Sequence, residues 1–332
     1  MTTHICPITE TSLEKAKQIL LRGGTVAFPT ETVYGLGADA RSDEAVRSIY
    51  AIKGRPSDNP LIVHVHKDYA LNSLVFDDMP YAKKLRDAFL PGPLTLVYRS
   101  KGAVSKIVSC GLDTLAVRVP QHEGAQRFLR YVDLPVAAPS ANRSKHISPV
   151  TAQHVYGDLA GSVPLILDGG ACSGGIESTV CDVTGPYPVI LREGLVTREQ
   201  IERVAGRCDV YHSREGEQVR SPGMKYKHYA PHCRTVLFAP DELERAVSYF
   251  SDREKNGERV LALCEHAVLQ NFPKGKALDL GKNGEEFAAN LYVLLHEAEE
   301  RCDELIAVEP AERGGVMAGV LNRLRKACGA KQ

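Results

Sequence analysis

Short runs of strand-forming residues recur through the first 191 residues of the chain, and helical patterns lie between several of them. The runs are four or five residues long and rich in valine, leucine and isoleucine, as strands are. They are TVAF at 25–28, LIVHV at 61–65, LTLVY at 94–98, LAVRV at 115–119, PLIL at 164–167, TVCDV at 179–183 and PVIL at 188–191. Strands that alternate with helices predict an α/β domain with a twisted mixed sheet.

The chain has 332 residues, more than the roughly 100 to 200 residues of a usual single domain. After a helical pattern at 197–205 the sequence turns polar and loses its periodicity from Cys208 to Cys233, and strand and helix patterns return from Thr235. We therefore predict a first domain at 1–206, a linker at 207–234 and a smaller C-terminal α/β domain at 235–332 with Rossmann-like βα alternation. Because long connections without secondary structure are often functional, the linker could act as a lid.

Charge and composition exclude several classes of protein. Lysine plus arginine equals aspartate plus glutamate at 41 each, so no net field attracts nucleic acid or an anionic membrane. The N-terminus has no signal-peptide pattern and no apolar run approaches the ~20 residues of a membrane span, so we expect a cytoplasmic protein without membrane contact. The nine cysteines are scattered and never form a CxxC pair, which predicts reduced thiols and no zinc site.

The segment KGRPSDNP at 53–60 follows a helical pattern and combines two cations with a stiff loop. Lys53 and Arg55 flank a glycine, and Pro56 and Pro60 restrict the loop that presents them. A compact ammonium and a planar guanidinium so placed can hold one anion from two sides. The alternative is that they cap the helix C-terminus, which would explain Lys53 but not the rigid polar loop.

The segment FPTETVYGLG at 28–37 has two interpretations. Thr30, Thr32 and Tyr34 alternate, so in an extended chain they would share one face and could hold a small polar ligand. A strand edge followed by a glycine turn fits the pattern equally well.

Two residues interrupt apolar strands. A buried Arg118 would be costly unless paired, so it either meets a carboxylate of the protein or binds one of a ligand. His64 and His66 share one face of a strand but lack a third metal ligand at a characteristic spacing, so polar packing or ligand contact is the better interpretation.

Other polar segments come after predicted strands. Ser140 and Asn142 in APSANRS lie beyond the strand that ends at 138, where open α/β sheets bind ligands, although PSAN alone is also a good turn. Ser148 fits as the cap of a helix at 149–159. A glycine-rich stretch that ends at Ser178 and Thr179 could expose backbone N–H groups to an anion. The sequence has no P-loop, no HExxH and no candidate nucleophile beside a base. Chemistry by positioning and charge neutralisation is therefore indicated by four cations among these hydroxyl groups, Lys53, Arg55, Arg118 and Arg192.

Seven motifs in a fixed order closely resemble those of the threonylcarbamoyl-AMP synthase family in its longer two-domain form. They are FPTETVYGLG, KGRPSDNPLIVHV, LPGPLT, LAVRVP, APSANRS, GGIESTVCDV and LREG, and SPGMKYKHYAP extends the match through the linker. The resemblance implies a catalytic first domain that converts L-threonine, bicarbonate and ATP, with Mg²⁺ and no redox cofactor, to threonylcarbamoyl-AMP and pyrophosphate. This nucleotidyltransferase reaction would be the first step of threonylcarbamoyladenosine formation at adenosine 37 of tRNA. The product would pass to a tRNA threonylcarbamoyl-transferase complex.

The resemblance also implies the roles of individual residues. Threonine would be bound by Thr30, Thr32, His64, Arg118, Ala138, Ser178 and Thr179, with Arg118 taking its carboxylate. ATP would be bound by Lys53, Arg55, Asn59, Thr114, Ser140, Ser148, Arg192, Tyr226 and Tyr229, the two tyrosines acting as a lid. Catalysis would depend on Lys53, Arg55, Ser140 and Asn142. The sequence does not indicate the metal ligands.

Two other functions compete with this one. An RNA-binding module is disfavoured by the zero net charge and the lack of basic-aromatic motifs, although a local patch could make a weak tRNA contact. A carbamoyltransferase acting on another protein would be expected to carry zinc-finger segments, which the cysteine pattern does not supply.

Overall fold

The computed structural model describes residues 1–211 and 229–329, and these divide into two compact units. The first unit takes in residues 1–144, 149–173 and 177–211, and the second takes in 145–148, 174–176 and 229–329. Each unit has its own sheet and its own apolar core. None of the helices in the two described ranges combines the length and apolar character needed to cross a bilayer.

The first unit is built on one large sheet. Its strands are β1 His4–Pro7, β2 Val26–Phe28, β3 Gly35–Asp39, β4 Ile62–His64, β5 Val75–Phe76, β6 Leu94–Ser100, β7 Thr114–Arg118, β8 Val136–Ala137, β9 Leu165–Asp168, β10 Thr179–Asp182, β11 Val189–Arg192 and β12 Asp209–Val210. Their order is β1-β9-β2-β3-β8-β4-β7-β6-β10-β11-β12, and β5 pairs with β6. Parallel pairs such as β4 with β7 lie beside antiparallel pairs such as β6 with β7, which confirms the predicted mixed sheet.

Helices of the first unit cover this sheet and bury its apolar side chains. They are α1 Glu10–Leu21, α2 Asp43–Lys53, α3 Pro80–Phe89, α4 Glu123–Val132, α5 Ala152–Leu159 and α6 Arg198–Ala205, with a 3₁₀ helix at Leu71–Ser73. Residues of α1, α4 and the strands β2 and β9 form one core cluster. At its centre the fully buried rings of Phe28 and Phe128 lie 5.1 Å apart.

The second unit is a smaller α/β layer. Its strands are β13 Arg234–Phe238, β14 Val260–Cys264, β15 Ala277–Asp279 and β16 Glu304–Val308, all parallel in the order β13-β16-β14-β15. Its helices are α7 Leu243–Lys255, α8 Gly284–Arg301 and α9 Met317–Ala327, with 3₁₀ helices at Pro240–Glu242 and His266–Asn271. Strands β14 and β16 are buried along their whole length, as in parallel sheets covered on both faces. The predicted smaller α/β domain with βα alternation is confirmed.

The segment GLG at 35–37 is an interior strand, so the predicted glycine turn is wrong. These residues belong to β3, which lies between β2 and β8. A Cβ on Gly37 would come within 2.7 Å of Val136 Cγ1 and 3.0 Å of Phe28 Cε1. Glycine is therefore required here for close packing rather than for a turn.

Two boundaries differ from those expected from the sequence. The N-cap of α5 is Thr151, whose side chain accepts from His154 N, so the predicted cap at Ser148 is wrong. Strand β12 at Asp209–Val210 pairs with β11 and adds to the first sheet inside the segment we assigned to a linker. Most of that predicted linker, residues 212–228, lies outside the described residues.

Candidate active site

Three polar side chains occupy paired positions on neighbouring strands. Arg118 of β7 is the register partner of His64 of β4 on one side and of Thr95 of β6 on the other. Directly paired residues project from the same face of a sheet. All three are buried, with Arg118 and His64 each 4% exposed and Thr95 fully enclosed. Two of these residues were predicted, and the third, Thr95, stands as the one polar residue inside the run LTLVY.

The guanidinium of Arg118 is held in one orientation. Its Nη1 donates to Thr32 Oγ1 at 2.7 Å, and its Nε donates weakly to Gly92 O at 3.4 Å. Because arginine can only donate, the Thr32 hydroxyl accepts this bond and is left to donate to Thr30 Oγ1 at 2.8 Å. Thr30 donates in turn to Val33 O at 2.6 Å. This directed chain of hydrogen bonds fixes the orientation of the forked Arg118 guanidinium.

A carboxylate of the protein also meets Arg118, as one of the two predicted alternatives requires. Glu31 Oε1 lies 2.8 Å from Arg118 Nη2, and both side chains are buried. The two atoms are close but do not align as a hydrogen bond, and neither Glu31 oxygen has another hydrogen-bond partner within the described ranges. Sequence reasoning missed Glu31, although it stands between the two predicted threonines.

Thr30 and Thr32 meet through a turn and not through a strand. Thr30 Oγ1 accepts from Thr32 N at 3.1 Å and from Val33 N at 3.2 Å, which closes a local side-chain turn after β2. Tyr34 instead donates its hydroxyl to Gly170 O at 2.8 Å. The predicted shared face of three alternating residues is therefore wrong, although two of the three do lie together.

His64 is a neutral polar group in this site. Burial, and next the positive charge of Arg118, lowers the pKa of His64 to about 3. Its Nδ1 lies 3.1 Å from Ile62 O, and its ring packs edge-on against Phe28. At neutral pH the imidazole can therefore contact a ligand as a hydrogen-bonding group but not as a cation.

Ser178 links Arg192 to the polar row of the sheet, which consists of His64, Arg118 and Thr95. The hydroxyls of Ser178 and Thr95 lie 2.8 Å apart, and Arg192 donates from Nη2 to Ser178 O at 2.9 Å. The neighbouring Thr179 hydroxyl donates to Val196 O at 2.6 Å and accepts from Val196 N at 3.1 Å. Thr179 thus holds a loop in place, and its expected contact with threonine stays a prediction.

Gly194 packs against the backbone of this same segment. A Cβ at position 194 would lie 2.5 Å from both Glu177 O and Thr179 N, neither of which can rotate away. We expect Gly194→Ala to lower the free energy of unfolding by about 1–3 kcal/mol, the usual cost of overpacking. Gly185→Ala is the matched control, because the nearest atom to its added Cβ would be 3.8 Å away. Urea unfolding of both variants measures the effect, and equal stabilities would contradict it.

Lys53 ties the end of α2 to the loop at 140–142. Its buried Nζ donates to Ser140 O and Asn142 O, each at 2.5 Å, and to Asn142 Oδ1 at 3.3 Å. Ser144 N donates back to Lys53 O at 2.8 Å. Burial, and next the charge of Arg55, lowers the pKa of Lys53. All three N–H bonds of the ammonium are engaged, so in this structure Lys53 anchors a loop, and its direct contact with an anion stays a prediction.

The turn after Lys53 contains a buried amide with unmet hydrogen bonds. Gly54 adopts the left-handed conformation that ends α2, and Arg55 Nη2 lies 3.3 Å from both Asn59 O and Pro60 O. Asn59 is fully buried, and across residues 1–211 and 229–329 neither its amide nitrogen nor its amide oxygen finds a hydrogen-bond partner. Since such groups cost about 1–3 kcal/mol when unsatisfied, Asn59 is equipped to bind a polar ligand.

The remaining predicted residues are divided between the two units. Thr114 begins β7, and Ala138 is buried with its N–H donating to Ile62 O. Ser148 and Tyr229 belong to the second unit, where His296 Nε2 lies 3.3 Å from Ser148 O and the Tyr229 ring packs 5.3 Å from that of Tyr292. Tyr226 lies outside the described residues.

Comparison with known proteins identifies the family. A family model described as telomere recombination matches residues 18–194, and one described as the threonylcarbamoyl-AMP synthase C-terminal domain matches residues 196–329. A threonylcarbamoyl-AMP synthase of Pyrococcus abyssi is 38% identical over 327 residues, which cover 97% of this chain and 95% of the relative. The chain belongs to the threonylcarbamoyl-AMP synthase family. The predicted resemblance is confirmed.

Further members of the threonylcarbamoyl-AMP synthase family agree with this placement. The Bacillus subtilis threonylcarbamoyl-AMP synthase is 40% identical, covering 96% of this chain and 93% of the relative. A crystal structure of P. abyssi Sua5 complexed with L-threonine matches with a TM-score of 0.89 at 38% identity, covering 99% of this chain and 97% of the other. These matches run over nearly the whole of this chain, which thus belongs to an enzyme family.

Proposed function

We propose that this enzyme forms threonylcarbamoyl-AMP and pyrophosphate from L-threonine, bicarbonate and ATP. The observation that carries the proposal is the buried fork of Arg118, which the hydrogen-bond chain through Thr32 and Thr30 orients on the polar row of the sheet. A fixed guanidinium suits a carboxylate, and the neutral His64 beside it adds a hydrogen-bonding group without a second charge. A small amino acid with a side-chain hydroxyl fits this set of contacts.

The nucleotide would lie beside the loops at 53–60 and 140–142. Arg55 and Arg192 supply cations for phosphate groups, and the unsatisfied Asn59 amide supplies a polar contact. Lys53 holds the 140–142 loop, so its expected importance for catalysis can arise through the position of Ser140 and Asn142. The contacts of Thr114, Ser148, Tyr226 and Tyr229 with ATP remain predictions from the resemblance.

The reaction needs alignment more than an enzyme nucleophile. Threonine's amino group bonds to the carbon of bicarbonate and a C–O bond of bicarbonate breaks with loss of water, which gives a carbamate. A carbamate oxygen then attacks the α-phosphorus of ATP, and the bond from that phosphorus to pyrophosphate breaks. Cations placed around the phosphates would offset the charge that moves to the leaving group. Binding both substrates in one geometry would supply the rest of the rate enhancement.

The expected Mg²⁺ does not fit a protein-only site among the residues described. Mg²⁺ is usually held by one or two carboxylates together with substrate phosphates. Within residues 1–211 and 229–329, no group of three or more histidine, cysteine, aspartate or glutamate side chains is placed to hold a metal ion. We expect any Mg²⁺ in the reaction to bind the nucleotide's phosphates as well as protein side chains.

The proposal also implies a fate for the product. The adenylate would pass to a tRNA threonylcarbamoyl-transferase complex for modification at adenosine 37. The enzyme would then act in the cytoplasm, as expected from the sequence, and any direct tRNA contact would be weak.

Pyrophosphate release tests the proposal directly. Purified protein with ATP, Mg²⁺ and bicarbonate should release pyrophosphate only when threonine is added, and mass spectrometry should detect a threonylcarbamoyl adduct of AMP. Valine has threonine's shape without the hydroxyl and serves as the control. Turnover with valine should be at least about tenfold lower, because the polar groups that would contact the hydroxyl then lack a partner. Pyrophosphate release that does not depend on threonine would contradict the assignment. tRNA binding without turnover would favour the RNA-binding alternative.

A further inference from the structure

Glu31 has more hydrogen-bonding capacity than its surroundings use. An ionised carboxylate can accept about four hydrogen bonds, and a buried one is costly when it accepts none. Glu31 is 9% exposed, yet its Oε1 only approaches Arg118 Nη2 and its Oε2 has no hydrogen-bond partner in the part of the chain that the structure describes. A purely structural ion pair would be expected to satisfy the remaining lone pairs. A Glu31 oxygen is therefore available to accept a hydrogen bond from a ligand.

Position and charge indicate which ligand group would bind to Glu31. An α-amino acid carries its ammonium group and its carboxylate on one carbon atom, only a few ångströms apart. Arg118 and Glu31 present a cation and an anion whose nearest atoms are 2.8 Å apart in the same buried site. With Arg118 taking the carboxylate, Glu31 is the complementary group for the amine. The pair together matches a zwitterion and leaves no uncompensated charge.

Neighbouring titratable groups are poor proton acceptors. His64, which interacts with Arg118, has a pKa lowered to about 3 by burial. Burial likewise raises the pKa of the Cys172 thiol, which interacts with both Glu31 and Arg118, to about 12. The thiol keeps its proton at neutral pH, and the neutral imidazole binds a second proton only in strong acid. Among these side chains, a carboxylate is left to take a proton from a substrate.

We propose that Glu31 binds the amino group of threonine and accepts its proton during carbamate formation. This inference rests on the function proposed above. The ammonium N–H bond breaks, its proton moves to a Glu31 oxygen, and the nitrogen lone pair forms the new N–C bond with the carbon of bicarbonate. The hydroxyl that leaves this carbon takes up one of the two protons still on the nitrogen and departs as water, so the carbamate nitrogen keeps one proton. Glu31 then returns its proton to solvent.

Two substitutions separate charge from shape. Glu31→Gln keeps the size of the side chain but removes the base, and Glu31→Asp keeps the base on a shorter stem. We expect Glu31→Gln to lower kcat/KM for threonine by about 10²-fold, the lower end of what general bases contribute. Glu31→Asp should recover about tenfold of that loss. Circular dichroism and thermal unfolding of each variant check that the fold is retained.

A substrate analogue without the amine separates a direct contact from a structural role. (R)-3-hydroxybutanoate keeps threonine's carboxylate and hydroxyl, and calorimetry gives its affinity alongside that of threonine. Glu31→Gln should weaken threonine about tenfold, the loss of one charge-assisted contact, and leave the analogue within about twofold. Equal weakening of both ligands, or a kcat/KM within threefold of the wild type, would overturn the inference. If wild-type protein binds threonine but releases no pyrophosphate, the proposed function fails. Even then, a Glu31→Gln variant that loses affinity for threonine but not for the analogue would support the contact between Glu31 and the amine.

Discussion

Replacing Arg118 with lysine should lower kcat/KM for threonine by about 10²- to 10³-fold. Lysine cannot present the two parallel donors of the guanidinium, so a substrate carboxylate would lose its bidentate contact with position 118. The substitution also removes the 2.7 Å bond to Thr32, which starts the chain that orients the site. Lysine keeps a positive charge beside Glu31, so the fold should survive. Steady-state pyrophosphate release at varied threonine measures the effect.

The matched control for this change is Arg47→Lys. Arg47 is 69% exposed on α2 and its ion pair with Asp43 spans 3.9 Å, so its replacement should leave turnover within about twofold. ATP affinity should change little in either variant, because Arg118 serves the amino acid in the proposed site. A kcat/KM for Arg118→Lys within threefold of the wild type would show that Arg118 does not bind the substrate carboxylate.

Replacing Lys53 with methionine should lower kcat/KM for ATP by about 10²- to 10³-fold and the free energy of unfolding by about 3 kcal/mol. Methionine keeps the unbranched stem but removes three hydrogen bonds to the loop at 140–142, and a displacement of about 1 Å at a reacting centre can cost 10²-fold. The stability loss arises from leaving those carbonyl groups without their charged donor. Pyrophosphate release at varied ATP and urea unfolding give the two values.

Lys15→Met on the exposed face of α1 is the control for removing a lysine charge. This variant should keep both the wild-type kcat/KM for ATP and the wild-type free energy of unfolding. Near-normal turnover together with lost stability in Lys53→Met would show that the anchor matters for folding alone. Normal values of both would mean that the loop at 140–142 is held by other contacts.

The sequence predicted the architecture well wherever apolar periodicity was strong. Each of the seven predicted runs corresponds to a strand of the first unit, and the four parallel strands of the second unit lie in the region where patterns restart. The segment at 35–37 was misjudged because glycine lowers strand propensity, and only the tertiary position of Phe28 and Val136 explains it. Strand β12 has two residues, too few for any period to be recognised.

The site was predictable in its residue types but not in its pairings. Arg118 was expected to need a carboxylate because a lone arginine in an apolar strand is costly, and that reasoning depends on local sequence alone. Which carboxylate it meets depends on a turn after β2, which local pattern did not reveal. The anchoring role of Lys53 joins residues 87 and 89 positions apart, so helix and loop signals could not show it.

The edge strand β1 has a consequence for how the chain is made. Its partner is β9, and the nearby bond from Thr3 to Val163 spans 160 positions of sequence. Strand β9 also lies between β1 and β2, so this half of the sheet cannot close before residues 165–168 have left the ribosome. Contacts of such long range are slow to form, because a large loop must close before they stabilise anything. The native sheet of the first unit therefore cannot be completed before about half of the chain has been made, and β1 lacks its native partner until then.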